Sequence, residues 1–194
     1  MPAIAKESLL PLEAYARQRG QIRARAMEHK NLRTVRLGEH VALQFEDELT
    51  VRYQVQEMLR IERIFEDDGI QHELDTYNPL VPDGGNWKAT MMIEYPEIEE
   101  RRRMLGQLKG VEARTWVQVE GRERVYAIAD EDLERENAEK TSSVHFLRFE
   151  LGQEMRSALK RGASLAIGVD HPEYRASLDP VPAALRELLV EDLA

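Results

Sequence analysis

A chain of 194 residues that is 42% hydrophobic and has no Pro/Gly/Ser-rich linker is long enough for one sizeable core, and it reads as a single globular domain over residues 1–194. The absence of cysteine excludes disulfides, thiolate metal sites and cysteine nucleophiles. A net charge of -9 disfavours nucleic acid as a partner. No apolar run is long enough for a signal peptide or a bilayer span, so the expected location is the cytoplasm and no membrane partner is expected.

Ser8 and Pro11 open a helix that runs toward Asn31, with Gly20 as a tolerated weak point. Val35 to Glu46 follows as a strand, in which Val41, Leu43 and Phe45 alternate with Ala42, Gln44 and Glu46 and Gly38 marks a bulge or bend. A long helix from Leu49 to Glu66 is broken at Asp68-Gly69, and a shorter helix carries Gln71 to Tyr77. Asn78 to Asn86, with two prolines and two adjacent glycines, is expected to be a mobile loop. Ala89, Met91 and Ile93 form the next strand, and Pro96 suits the first turn of a helix to Leu108.

The second half carries the clearest β pattern. Val111 to Glu120 alternates strictly, and Gly121 turns it into a partner strand, Arg122 to Ala129. Asp130 to Lys140 is almost wholly charged and reads as an exposed helix or loop. Val144 to Leu151 is a strand, Gly152 to Arg161 a helix, Ala163 to Val169 an apolar central strand, and Pro180 to Leu193 a closing helix. Leu147-Arg148-Phe149-Glu150 echoes Leu43-Gln44-Phe45-Glu46, a short match without a repeat period. The order predicts an α+β fold: one mixed or antiparallel sheet of five to seven strands covered by helices.

Charge on apolar stripes is the strongest hint of a site. At about 100° per residue, the long helix gathers Val51, Val55, Met58, Leu59, Ile61 and Phe65 on one face with Glu62 near its centre. The first helix places Arg19 and Arg23 within its own stripe. A desolvated charge needs a partner, so Arg19 or Arg23 is expected to fork onto Glu62, with Glu57 alongside; an arginine left over would bind an anion beneath Tyr77, Asn78 and the following loop. Seven basic residues from Arg17 to Arg36 face Glu28 alone, so a basic helix sits on an acidic body and could dock an acidic ligand, a protein partner or a second copy of the chain.

Motifs for nucleotide binding, the nucleophile elbow, calcium and zinc protease sites are all missing. His72-Glu73-Leu74-Asp75 lacks a second histidine, and no histidine follows a glutamate at the spacing of di-iron bundles. No metal and no cofactor are therefore expected. His145 shares a strand face with Leu147, Phe149 and Leu151 and reads as a core histidine bonded to backbone. Asp170 and His171 stand at the exit of the central strand before Pro172, where either a ligand or a capped turn would fit.

Gln54-Val55-Gln56-Glu57-Met58-Leu59-Arg60-Ile61-Glu62-Arg63-Ile64, with Glu73-Leu74, Tyr77-Asn78 and Gly168-Val169-Asp170-His171-Pro172, resembles an uncharacterised bacterial family of domains of unknown function over nearly the whole chain. The resemblance implies genes near those of rubrerythrin-like and iron–sulfur oxidoreductase proteins, hence a link to redox or peroxide defence, and implies no catalytic residues. Two functions stay open: an accessory module that binds an acidic ligand or partner protein, and a small enzyme using Glu62 or His171 as general acid/base.

Overall fold

The computed structural model describes residues 3–132 and 135–194. Pro11 caps helix α1 (Leu12–Leu32), which packs along α2 (Glu48–Glu62). Between them the segment read as one strand folds back as a hairpin, β1 (Thr34–Leu37) and β2 (Val41–Phe45). Gly38 turns it with φ of +69°, and a Cβ there would lie 2.6 Å from the Tyr174 hydroxyl, so glycine meets both the backbone and the packing demand.

Asp47 caps α2 by accepting from Thr50 N at 2.9 Å while Thr50 Oγ1 accepts from Asp47 N at 3.0 Å. The helix stops earlier than its apolar pattern. Arg63 adopts a left-handed φ of 56° and Ile64 N donates back to Leu59 O, a helix-ending turn. Ile61, Glu62 and Phe65 are consequently exposed, and the buried face consists of Val51, Tyr53, Val55, Gln56, Glu57 and Leu59. Helix α3 (Asp67–Tyr77) begins before Gly69 rather than after it and runs into a 3₁₀ turn, Asn78–Leu80.

The remaining elements are β3 (Asn86–Ile93), α4 (Ile98–Gln107), β4 (Thr115–Val119), β5 (Arg124–Tyr126), β6 (Ile128–Ala129), β7 (Val144–Glu150), α5 (Gln153–Lys160), β8 (Leu165–His171), β9 (Tyr174–Leu178) and α6 (Ala183–Glu191). The fold is α+β with antiparallel pairing, but the strands divide into two sheets rather than one, ordered β1-β2-β3-β7-β6 and β5-β4-β8-β9. The division falls at Ala127. The strand expected from Arg122 to Ala129 pairs with β4 through Tyr126, then crosses to the edge of the first sheet. The described part of the charged segment, 130–132 and 135–140, is irregular apart from a bridge between Glu136 and Thr141; Leu133 and Glu134 lie outside the described residues.

One apolar core joins the inner faces of both sheets. Leu43, Phe45, Trp87, Met91 and Phe149 face Val117, Val119, Ile167 and Val169, and Trp87 Nε1 donates to Leu189 O of α6 at 2.8 Å. The echoed tetrapeptides lie on β2 and β7, which flank β3, and bring Phe45 and Phe149 together at 6.3 Å. A second core of Ile4, Val51, Val55, Leu59, Leu74 and Val81 binds the helices into a separate layer. No described helix is long and apolar enough to cross a membrane.

Period-2 alternation puts Trp87, Ala89, Met91 and Ile93 into the core and turns Lys88, Thr90 and Met92 to the opposite face of β3. On that face Lys88 stands directly across from Arg148, and Thr90 from Phe146. The end of α3 and the 3₁₀ turn lie over this patch.

Candidate functional site

The charged stripes of α1 and α2 do meet, with a different acid from the one expected. Glu57, not Glu62, receives the arginine fork: Arg19 Nε donates to Oε1 at 2.8 Å and Arg19 NH2 to Oε2 at 2.7 Å, while the Tyr15 hydroxyl donates to Oε1 at 2.6 Å. Arg23 is exposed and, among the described residues, reaches only the Tyr53 hydroxyl, at 3.4 Å. The hydrogen bonds from Arg19 hold the Glu57 carboxyl down at about 2, and burial beside that carboxylate pushes the Tyr15 hydroxyl well above its ordinary range. Both Glu57 oxygens are engaged. A carboxylate so saturated is a poor general base, and it clamps the two helices instead. A cavity of about 330 Å³ adjoins this clamp, but its Gln56 is bonded to Leu10 N and O, and its Arg52 to Glu48 and Ser8.

Asp170 and His171 also have structural partners. His171 is buried, its Nε2 bonds to Lys109 O at 3.0 Å and its Nδ1 accepts from Glu173 N at 3.2 Å, so neither nitrogen faces a ligand. Asp170 Oδ2 accepts from Tyr126 at 2.6 Å and from Arg124 at 3.1 Å, and Arg124 stacks on Trp116 at 3.9 Å. His145 is fully buried and bonded to Ser142 O at 3.0 Å as expected of a core histidine, and its Nδ1 also meets Asp130 Oδ2 at 2.5 Å. Asn78 ties the N-terminal segment down through Ile4 N at 2.8 Å and Ile4 O at 3.1 Å. The loop that follows is anchored at Gly84, whose carbonyl accepts from Ala194 N at 2.8 Å.

Tyr77 leads elsewhere. With Pro79, Leu80, Phe146 and Leu147 it walls a cavity of about 570 Å³ over the outer face of the first sheet, with Lys88 and Arg148 on the floor. Arg148 is fully committed in charge. Its Nε and NH2 fork onto Glu131 at 2.7 and 2.8 Å, and its NH1 bonds to Glu150. Arg135 forks likewise onto Asp132 and lies 4.6 Å over the Phe146 ring. Lys88 Nζ, by contrast, makes no hydrogen bond or ion pair among the described residues, although Glu131, Glu150 and Asp83 act on it electrostatically. Burial first, and the Arg148 guanidinium second, push the Lys88 ammonium below the usual lysine range, while the hydrogen bonds from Arg148 hold Glu131 below the usual carboxylate range.

Lys88, Arg148, Glu131 and Arg135 are not among the candidate site residues of the sequence, where Arg148 figures only in the echoed tetrapeptide. The signal available for Lys88 was its alternation with Thr90 and Met92 against Trp87, Ala89 and Met91, which puts a lone lysine inside a strand. Among the described residues no group of three or more His, Cys, Asp or Glu side chains could hold a metal ion.

A family model described as protein of unknown function (DUF3501) matches residues 3–193. The crystal structure of a protein of unknown function from Burkholderia pseudomallei K96243, determined at 1.90 Å resolution, is similar: 53% identity over 100% of both chains and a TM-score of 0.94. No curated protein matches the chain.

Proposed function

The chain belongs to the DUF3501 family, whose function is unassigned, and we propose that it is a binding module for a small organic acid, seated in the cavity under Tyr77 with its carboxylate between Lys88 and Arg148. The observation that carries this reading is Lys88, unpaired among the described residues, on a cavity floor where the neighbouring arginine already has two carboxylates. An unpaired cation in a half-buried place is costly, and an entering anion removes that cost. Arg148 still has two of its five N–H groups to offer, since three bond to Glu131 and Glu150. Tyr77, Pro79, Leu80 and Phe146 give an apolar wall for the rest of the ligand, the usual composition of a small-molecule site.

Phenylacetate and its neutral isostere phenylacetamide test this by titration calorimetry and by chemical-shift mapping. The expected result is that the carboxylate binds about tenfold or more tighter than the amide, the difference a charge-assisted hydrogen bond supplies. Lys88→Met abolishes the preference. Equal binding of the two probes, or unchanged binding by Lys88→Met, contradicts the proposal. The affinity for phenylacetate falls as pH rises through the depressed range of Lys88, because the anion pairs with the ammonium form alone.

A further inference from the structure

The geometry points to Lys88 as a carbonyl-capturing nucleophile, and to small 2-oxo carboxylates as the ligands it captures as imines. This deepens the binding reading and rests on it. A lysine acts as a nucleophile where it is withdrawn from water or stands beside another cation, and Lys88 meets both conditions. It projects from the third residue of β3 into a half-buried cavity, and its cross-strand neighbour is Arg148. No carboxylate among the described residues bonds to Lys88 Nζ: Glu131 and Glu150 are turned onto Arg148 and, with Asp83, act on the lysine only from a distance. Its depressed proton affinity agrees with that placement.

The same pairing selects the substrate class. In a 2-oxo acid the carboxylate is bonded to the carbonyl carbon, so a carboxylate held on the two remaining N–H groups of Arg148 brings the adjacent carbonyl to the lysine across the strand pair. The amine lone pair adds to the carbonyl carbon and a carbinolamine forms. The carbon–oxygen bond then breaks, both amine protons leave with that oxygen as water, and a carbon–nitrogen double bond remains. Neither an oxidant nor a reductant is consumed. Tyr77, whose hydroxyl has no hydrogen bond among the described residues, is the wall's uncharged O–H donor toward the departing oxygen.

The test is reductive trapping on the full chain. Protein is incubated near neutral pH with 2-oxobutanoate and sodium cyanoborohydride, and in parallel with butanone, then examined by intact mass and peptide mapping. The expected product is one adduct per chain, on Lys88, with the other five lysines as internal controls labelled about tenfold less or weaker. Butanone labels Lys88 less, and Lys88→Arg loses the adduct while melting like the parent. Labelling spread evenly over the lysines, or no adduct on Lys88, overturns the proposal; the wild-type peptide map gives this answer even if the variant fails to fold.

Two outcomes separate this chemistry from simple binding. Phenylacetate bound with no trapped adduct removes the nucleophile and leaves the binding module, whereas an adduct without phenylacetate binding removes the ion pair. The pH trends are opposed as well. Imine trapping rises as Lys88 loses its proton, while carboxylate binding falls. Of the groups facing Lys88, namely Arg148, Glu131, Asp83 and Glu150, with Asp75, Asp132, Arg135 and Tyr77 on the wall, Arg148 is held protonated and Glu131 and Asp83 are held ionised, so these three do not carry the trend.

Discussion

Glu57 in the helical layer and Lys88 on the sheet are both ionisable groups withdrawn from water, and the protein treats them in opposite ways. Glu57 receives three hydrogen bonds from Arg19 and Tyr15 and is held ionised. Lys88 donates none among the described residues, faces a second cation across the strand pair, and is driven toward its neutral form. A fully bonded charge fixes how elements pack, whereas one left unpaired beside a cavity is available to something from outside. The contrast separates scaffold from site without reference to any catalytic motif.

The largest effect should come from breaking the clamp. Glu57→Ala leaves the buried Tyr15 hydroxyl without its acceptor and removes the fork from the part-exposed Arg19, and the expected loss is about 2–4 kcal/mol in chemical denaturation. A loss within about 0.5 kcal/mol, the usual range of a surface change, would put Glu57 with the exposed ion pairs instead.

Acid titration sharpens the comparison with a second carboxylate. Glu57 is depressed from 4.5 to about 2 by Arg19, so the stability it supplies is present above its unfolded value and is lost as pH falls through about 2; with Arg19 about a third exposed, solvent screening holds this to about 1–2 kcal/mol. Asp192 has the reverse sign. Burial raises it from 3.8 to about 6 although Arg33 lies against it, so its contribution is present below the unfolded value and is lost as pH rises through about 6, roughly 3 kcal/mol. Stability measured against pH in Glu57→Gln should lose the acid limb, and in Asp192→Asn the slope between about 4 and 6. Parallel curves for parent and variants would contradict both assignments.

Smaller changes follow. Tyr15→Phe removes one hydrogen bond to an ionised carboxylate and should cost about 1.5–3 kcal/mol, with Arg19 still in place. Lys88→Met relieves a like-charge pair across β3 and β7 and should be neutral or stabilising by up to about 1 kcal/mol in a thermal melt. A clear destabilisation by Lys88→Met would move Lys88 from the site to the scaffold.

The clamp was legible in the sequence because helical periodicity puts charges and apolar residues on one face. Its acid was missed by five positions because Arg63 ends α2 in a left-handed turn, which leaves Glu62 outside, and no pattern of apolar residues announces that turn. The α+β class and the helices were likewise readable from period and caps. The division into two sheets was not, since the crossing at Ala127 is a single residue inside an alternating run. β9, Tyr174–Leu178, alternates between half-buried and exposed positions and carries too weak an apolar signal to stand out. The cavity was least accessible of all. It depends on the register that sets Lys88 opposite Arg148, and on Glu131 and Glu150 turning to Arg148 rather than to Lys88, none of which a local pattern contains.

The state of the Lys88 amine is the central quantity, and it is measurable at the side chain itself. Lysine side-chain NMR titration of the six Lys resonances, assigned with Lys88→Arg, reads each proton affinity in one experiment. Lys88 is expected to titrate below the other five, and to move back toward them when phenylacetate is added. Titration of Lys88 together with the others, unmoved by the carboxylate, would contradict the account.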